Sequence, residues 1–230
     1  MKPSTLSLNK QAYDICKDSF DVDVCETAAE ILLSIIRSET CGKTKSKFNL
    51  YDFCAKDPLR PAIGGIYHKD GYKVATNGKI LVLLKDKYDN ELESKIIDRN
   101  GQEAQGRYPN YLAVMPKYNK DEYTTYRINF DAFESQVKNL RTQVYHDWGK
   151  KKQWVDEMVV HVADTWLGAE LFSKFVTIMQ HLGTNEIYIK DNAHAVLTFV
   201  GESKAIIMPR CNVDYDSHPE QYYIINNVTL

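Results

Sequence analysis

Long hydrophobic runs are missing from these 230 residues: no stretch approaches eighteen uninterrupted apolar positions, which excludes a conventional membrane-spanning helix. Residues Met1 to Lys10 lack the charged start, apolar centre and small-residue cleavage site of a secretory signal, so the expected location is cytoplasmic. Cysteine is scarce and odd in number. Cys16, Cys25, Cys41, Cys54 and Cys211 are widely spaced, which suits reduced, buried thiols better than a disulfide framework or a zinc site. There is no excess of basic charge either, the net being −2, so any contact with nucleic acid has to come from a local patch. The densest basic run is Lys150-Lys151-Lys152, with Lys138 and Arg141 nearby, and Lys43, Lys45 and Lys47 form a second stretch.

Recognisable catalytic arrangements are also missing. Cys41-Gly42-Lys43-Thr44 ends like a phosphate-binding loop, but Arg37 occupies the position of that loop's first glycine. The six histidines include no pair three or four residues apart, the spacing that turns two imidazoles toward one metal. Neither a Gly-x-Ser-x-Gly elbow nor a Gly-x-Gly-x-x-Gly turn is present. The sequence therefore points to a binding protein rather than an enzyme, with no cofactor and no metal expected.

What is present is an ordinary globular balance, 43% hydrophobic and 26% charged, enough for one large domain or two modest ones. The N-terminal part carries apolar residues at helical spacing, from Ala12 to Phe20 and from Ala28 to Ile36. From Arg60 onward the character changes. Ile63 to His68, Tyr72 to Thr76 and Lys79 to Lys85 are strand-like runs, separated by Lys69-Asp70-Gly71 and Asn77-Gly78, both strong hairpin signals. A strand over Tyr126 to Phe130 leads to a helix from about Asp131, with Phe133, Val137, Leu140 and Val144 on one face and Glu134, Lys138 and Arg141 on the other. A strand over Met158 to Ala163 precedes a second amphipathic helix through Leu171, Phe172, Phe175 and Ile178 to Leu182. Strands at Glu186 to Lys190, Ala193 to Val200 and Lys204 to Met208 follow. This order predicts an α+β fold with helices on one face of antiparallel sheets.

Ile66-Tyr67-His68-Lys69-Asp70 is echoed by Ile187-Tyr188-Ile189-Lys190-Asp191, and Lys79-Ile80-Leu81-Val82 by Lys204-Ala205-Ile206-Ile207. Each member of the first pair opens a hairpin. The two strand clusters read as versions of one unit, giving two similar units over residues 1–120 and 121–230.

Three stretches, in order, resemble the bacterial replicative sliding clamp, the beta subunit of DNA polymerase III. They are LRPAIGGIY (Leu59 to Tyr67) followed by KVATNGKIL (Lys73 to Leu81), GRYPNYLAVMP (Gly106 to Pro116), and the run from Leu171 to Arg210 ending in IIMPR. The resemblance implies a DNA-clamp-like fold in which helices line a central hole and sheets form the outside. Double-stranded DNA is then encircled without sequence readout, as in a processivity factor of DNA replication. Lys138, Arg141, Lys150, Lys151 and Lys152 become the expected DNA-facing cations. The family also has an apolar cleft for short peptides of the replicative polymerase and other partners. By position its walls are Arg60, Thr76, Gly78, Val114, Met208 and Pro209. The simpler reading of these residues is structural, with Gly78 serving a turn and Val114 and Met208 the core.

The sequence departs from the family at Asn77, Lys79 and Ile80 in the hairpin and at Arg210 near the end, and it is shorter than a three-domain clamp. That abbreviation suits a phage or mobile element. A two-domain subunit implies either a homo-oligomeric ring or a monomeric interaction module that has lost the ring.

Overall fold

Two-residue turns organise the described part of the chain. In the computed structural model, which describes residues 48–148, 157–210, 223–226, 228 and 229, β1 (Ile66–Lys69) returns as β2 (Tyr72–Thr76). The turn is Asp70-Gly71, with φ of 52° and 78°, the mirror-image geometry that matches the twist of a hairpin. Asn77-Gly78 then sends the chain into β3 (Ile80–Lys85), with Gly78 at φ 88°. All described residues belong to the compact unit Lys47–Leu230. The helices expected before residue 47, the basic stretch Lys43 to Lys47 and Lys150 to Lys152 lie outside the described residues.

After β3 come the two-residue strand β4 (Ile96–Ile97), an extended connection, and β5 (Thr124–Arg127). Next are helix α1 (Phe130–Trp148), β6 (Met158–Val162), β7 (Thr165–Gly168) and helix α2 (Ala169–Leu182). The chain then forms β8 (Glu186–Ile189), β9 (Val196–Val200), β10 (Ser203–Ile207) and β11 (Tyr223–Ile225). Eight strands make one fully antiparallel sheet in the order β4-β1-β2-β3-β10-β9-β8-β5. A second sheet has the order β11-β6-β7 and contains the one parallel pairing among the described residues, β11 with β6.

The large sheet reads the same from either edge. A meander, β1-β2-β3, meets a second meander, β8-β9-β10, through antiparallel pairing of β3 with β10, in which Leu81 faces Ile206 and Ile80 faces Ile207. These are the two clusters whose sequences echo one another.

One face of the sheet is covered by α2, whose Phe172, Phe175, Ile178 and Met179 are fully buried and which packs on β10, β9, β6 and β7. The helix ends at Gly183, φ 72°, a left-handed cap that any side chain would strain. Helix α1 joins it edge-on through Phe133 and Phe172, whose rings are 5.2 Å apart. Its start is fixed by Asn129, whose side-chain oxygen accepts the Ala132 N–H at 3.0 Å. The expected strand through Phe130 therefore stops at Arg127. The apolar stripe of α1 is only partly sunk: Phe133 and Val144 are buried, Val137 and Leu140 half-buried.

The other face carries Val74, Leu81, Leu83, Leu197 and Ile206. No helix lies here. Tyr108, Tyr111 and Met115 from the connection between β4 and β5 pack on these residues, and farther along Tyr118 meets Tyr188 and Phe199 at 5.0 and 5.1 Å. Aromatic side chains on a connection whose only helical piece is the 3-10 turn Tyr111–Ala113 thus close the core on this face.

Candidate site at the seam of the two strand clusters

The turn before β3 is locked by side chains at both ends. The Thr76 hydroxyl accepts the Gly78 N–H at 3.0 Å and donates to the Ile80 carbonyl at 2.7 Å. The Asn77 side-chain oxygen accepts the N–H groups of Lys79 and Ile80 at 2.9 and 3.0 Å. Asparagine serves this turn as aspartate would, because the turn needs an acceptor and either side chain provides one.

Arg60 lies against this turn. A Cβ built on Gly78 would stand 3.6 Å from its guanidinium. The guanidinium is paired with Asp57 at 2.9 Å. Asp57 is held below the usual carboxylate range first by the Leu59 N–H and then by Arg60. From the other cluster, the Met208 N–H donates to the Lys79 carbonyl at 2.9 Å, extending the β3–β10 ladder by one bond. Arg60, Thr76, Gly78, Met208 and the adjoining half-buried Pro209 are thus gathered at one end of the seam. Val114 stands on the connecting segment that covers the same face of the sheet.

The structural reading of two of these residues as core is overturned. Met208 is 45% exposed and Val114 61%. Each follows the last residue of its element, Ile207 of β10 and Ala113 of a 3-10 turn, so neither is enclosed by a partner strand. Leu59, beside Arg60, is 89% exposed, a contributor that sequence reasoning missed although it sits in the quoted LRPAIGGIY stretch.

Two depressions open elsewhere. One, of about 570 Å³, is lined by Tyr67, Ile96, Tyr108, Pro109 and Tyr111, with Leu112 at its rim. The other, of about 680 Å³, is lined by Gly71, Lys85, Asp86 and Tyr88. Neither includes any of the six expected wall residues. Glu93 lies beside the second, accepting hydrogen bonds from the Tyr88 hydroxyl and from Lys69 Nζ at 2.9 Å, and these hold its carboxyl down at about 2. The network pins the loop after β3 onto the β1–β2 hairpin.

Of the expected DNA-facing cations, Lys138 is exposed on α1. Arg141 is half-buried, a correction to its expected place on the solvent face. One helical turn nearer the C-terminus than Lys138, it sits where α1 turns toward the core stripe. Among the described residues no group of three or more His, Cys, Asp or Glu could hold a metal ion, and no helix is long and apolar enough to cross a membrane.

No protein-family model matches the sequence, and no curated protein matches it. Solved structures do. The chain is similar to the beta sliding clamp of C. crescentus, with 13% identity over 70% of this chain and 61% of that one, at a TM-score of 0.51. A second structure of Caulobacter crescentus pol III beta gives 14% identity over 78% and 64% of the two chains, at 0.50. The fold is that of a bacterial sliding clamp. DNA polymerase III subunit beta from Borrelia burgdorferi is also similar, at 14% identity over 71% of this chain and 59% of that one, with a TM-score of 0.49. The chain spans about three fifths of the length of the clamp subunits it matches. At these identities the likeness is one of fold.

Proposed function

We propose that this clamp-fold chain is a tethering protein. On this reading it holds double-stranded DNA without reading sequence on its helical side, and it offers the seam between its two strand clusters to a short apolar peptide of a polymerase or another partner. The observation that carries the proposal is the seam itself. Two similar meanders fuse through β3 and β10, Met208 is left exposed where its N–H bonds the turn at Lys79, and exposed Leu59 adjoins Arg60, whose guanidinium reaches the same turn. Exposed large apolar side chains next to fixed backbone are what a peptide's own apolar residues would cover. This reading keeps the two similar units expected over 1–120 and 121–230, with one meander contributed by each.

On the DNA side, Lys138 of α1 and Lys150 to Lys152 would meet phosphates, giving binding that weakens steeply with salt and leaves the protein free to slide. Ring closure by several copies would make that hold topological. A monomeric interaction module is the second reading, and the balanced charge of the helices favours it. Exposed Asp131, Glu134 and Glu170 stand against Lys138 and Lys174, and Lys174 is already paired with Glu170 at 3.3 Å.

Retention on DNA separates the two. A tether that encircles DNA stays on nicked circles and runs off linear fragments, its retention falls with salt, and Lys138→Glu with Lys151→Glu weakens it. Equal behaviour on both DNA forms, with a monomer by light scattering, would leave the module reading in its place.

A further inference from the structure

The C-terminal segment is gripped by its backbone. Tyr223, Ile224 and Ile225 pair in parallel with Met158, Val159 and Val160 of β6, and the Tyr223 N–H donates to the Glu157 carbonyl at 3.0 Å. One residue on, Gln136 of α1 takes both backbone groups of Asn226: its Nε2 donates to the carbonyl at 2.6 Å, and its Oε1 accepts the N–H at 3.2 Å. The Val228 carbonyl then accepts the Asn129 N–H at 2.6 Å, and Thr229 bridges Ile128. A side-chain amide that reads one residue's donor and acceptor together does what a neighbouring strand would do. Among the described residues of the segment, the buried side chains are Ile225 and Val228, three residues apart, at 0% and 1% exposure.

This segment is joined to the rest of the fold by residues 211–222 alone, twelve residues that can reach about 40 Å when extended. The chain before them is fixed at Arg210, whose N–H donates to the Trp166 carbonyl at 2.8 Å. Tyr223–Ile225 is the outermost strand of the small sheet and contributes nothing to the large one.

We propose that the groove between α1 and β6 is a strand-accepting site with an exchangeable occupant, and that its second occupant is residues 223–229 of another copy of this chain. The groove is complementary to its own C-terminal segment, so every contact made within one copy is reproduced between two. Exchange then alters no contact and is governed by concentration and by the reach of the connecting segment. Each site is completed by Ile225 and Val228 of the partner copy.

The test uses the full-length chain carrying Ile225→Asp, because a carboxylate cannot enter a dry apolar groove and the site is thereby emptied. A fluorescein-labelled synthetic peptide of residues 221–230 is titrated into it and followed by anisotropy. Saturable binding is expected, weakened about tenfold when Gln136→Ala is added and the pair of hydrogen bonds to Asn226 is lost. Two differently labelled populations of the unaltered chain, mixed and concentrated, are expected to show energy transfer. Absence of peptide binding by a folded Ile225→Asp chain overturns the proposal, as does binding that Gln136→Ala leaves unchanged. So does unfolding of both Ile225→Asp and the milder Val228→Ser, since the segment is then core and not ligand. Absence of energy transfer at any concentration overturns the second copy as occupant.

Discussion

Gly65→Ala measures how the edge of the large sheet is held. Gly65 lies just before β1, and a Cβ there would stand 2.6 Å from the Ile97 carbonyl oxygen and 2.9 Å from Ile96 Cγ2. That is about 0.8 Å inside ordinary contact with a backbone atom, and backbone cannot rotate away as a side chain would. Gly65 is not among the glycines at positive φ, so the conflict is steric and not conformational. The only relief is movement of β4, which has two residues and two register pairs with β1. Overpacking of this kind costs roughly 1–3 kcal/mol. If β4 lifts, Ile96, now 4% exposed, loses burial worth about 2 kcal/mol, so a loss of about 2–4 kcal/mol is expected. The neighbouring glycine is the control. A Cβ on Gly64 comes no closer than 3.3 Å, to the Pro61 carbonyl oxygen, with the Ala55 carbonyl oxygen at 3.7 Å, so Gly64→Ala should change stability by less than about 1 kcal/mol. Urea denaturation of both variants gives the numbers. Hydrogen exchange at Ala104, whose N–H is held by the Ile96 carbonyl at 2.8 Å, locates the change. Equal stability of the two variants would refute the reasoning.

Gly78→Ala should cost about 1 kcal/mol by chemical denaturation, through the φ of 88° and not through crowding, since Arg60 leaves room for a methyl group. A gain in stability would contradict that assignment. In acid, Glu93 should mark the loss of the hairpin lock. Its folded value, about 2, lies below its ordinary value of 4.5, so its contribution is fully present above about pH 4.5 and disappears as pH falls toward 2. Asp86, lowered by Lys73, and Glu122, lowered by Lys190, act in the same direction. Thermal unfolding followed between about pH 5 and 3 should fall less steeply in Glu93→Gln than in the unaltered chain. Parallel curves would remove Glu93 from the lock.

The hairpins were legible in the sequence because their turns are local chemistry. Asp70, Gly71 and Gly78 take left-handed backbone, and Gly201, φ 57°, opens the β9–β10 turn in the same way. The errors are non-local. Ile63 to His68 has the composition of one strand, yet Ile63 ends a 3-10 turn begun at Pro61 and the two glycines after it bend the chain, leaving only Ile66–Lys69 to pair. Strands β4 and β11 have two and three residues, too few for a period to appear, and β11 finds its partner more than sixty residues away. At the seam, the position of Gly78 and Met208 was readable from the motif, but the exposure of Met208, Val114 and Leu59 was not. A sequence records that a residue is apolar, and only the end of a ladder decides that nothing covers it.

If the chain tethers DNA as proposed, charge limits which part of it can do so. On α1 the exposed Lys138 stands four residues after Glu134, the spacing at which opposite charges on a helix attract, and Arg141 is half-buried. On α2 Lys174 is bound to Glu170. A phosphate approaching these helices meets dipoles of alternating sign, whose fields fade within a Debye length of about 8 Å at physiological salt. On the tethering reading, most of the net attraction then comes from Lys150 to Lys152, which follow α1 in the sequence, and Lys138 adds a smaller share. The salt dependence of binding counts the phosphates engaged. Three lysines per chain give a slope of log K against log salt of about −2.7, whereas all five expected cations give about −4.5. The shallower slope agrees with the pairing on the helices, and the steeper one would mean that Lys138 and Arg141 leave their present surroundings when DNA is bound.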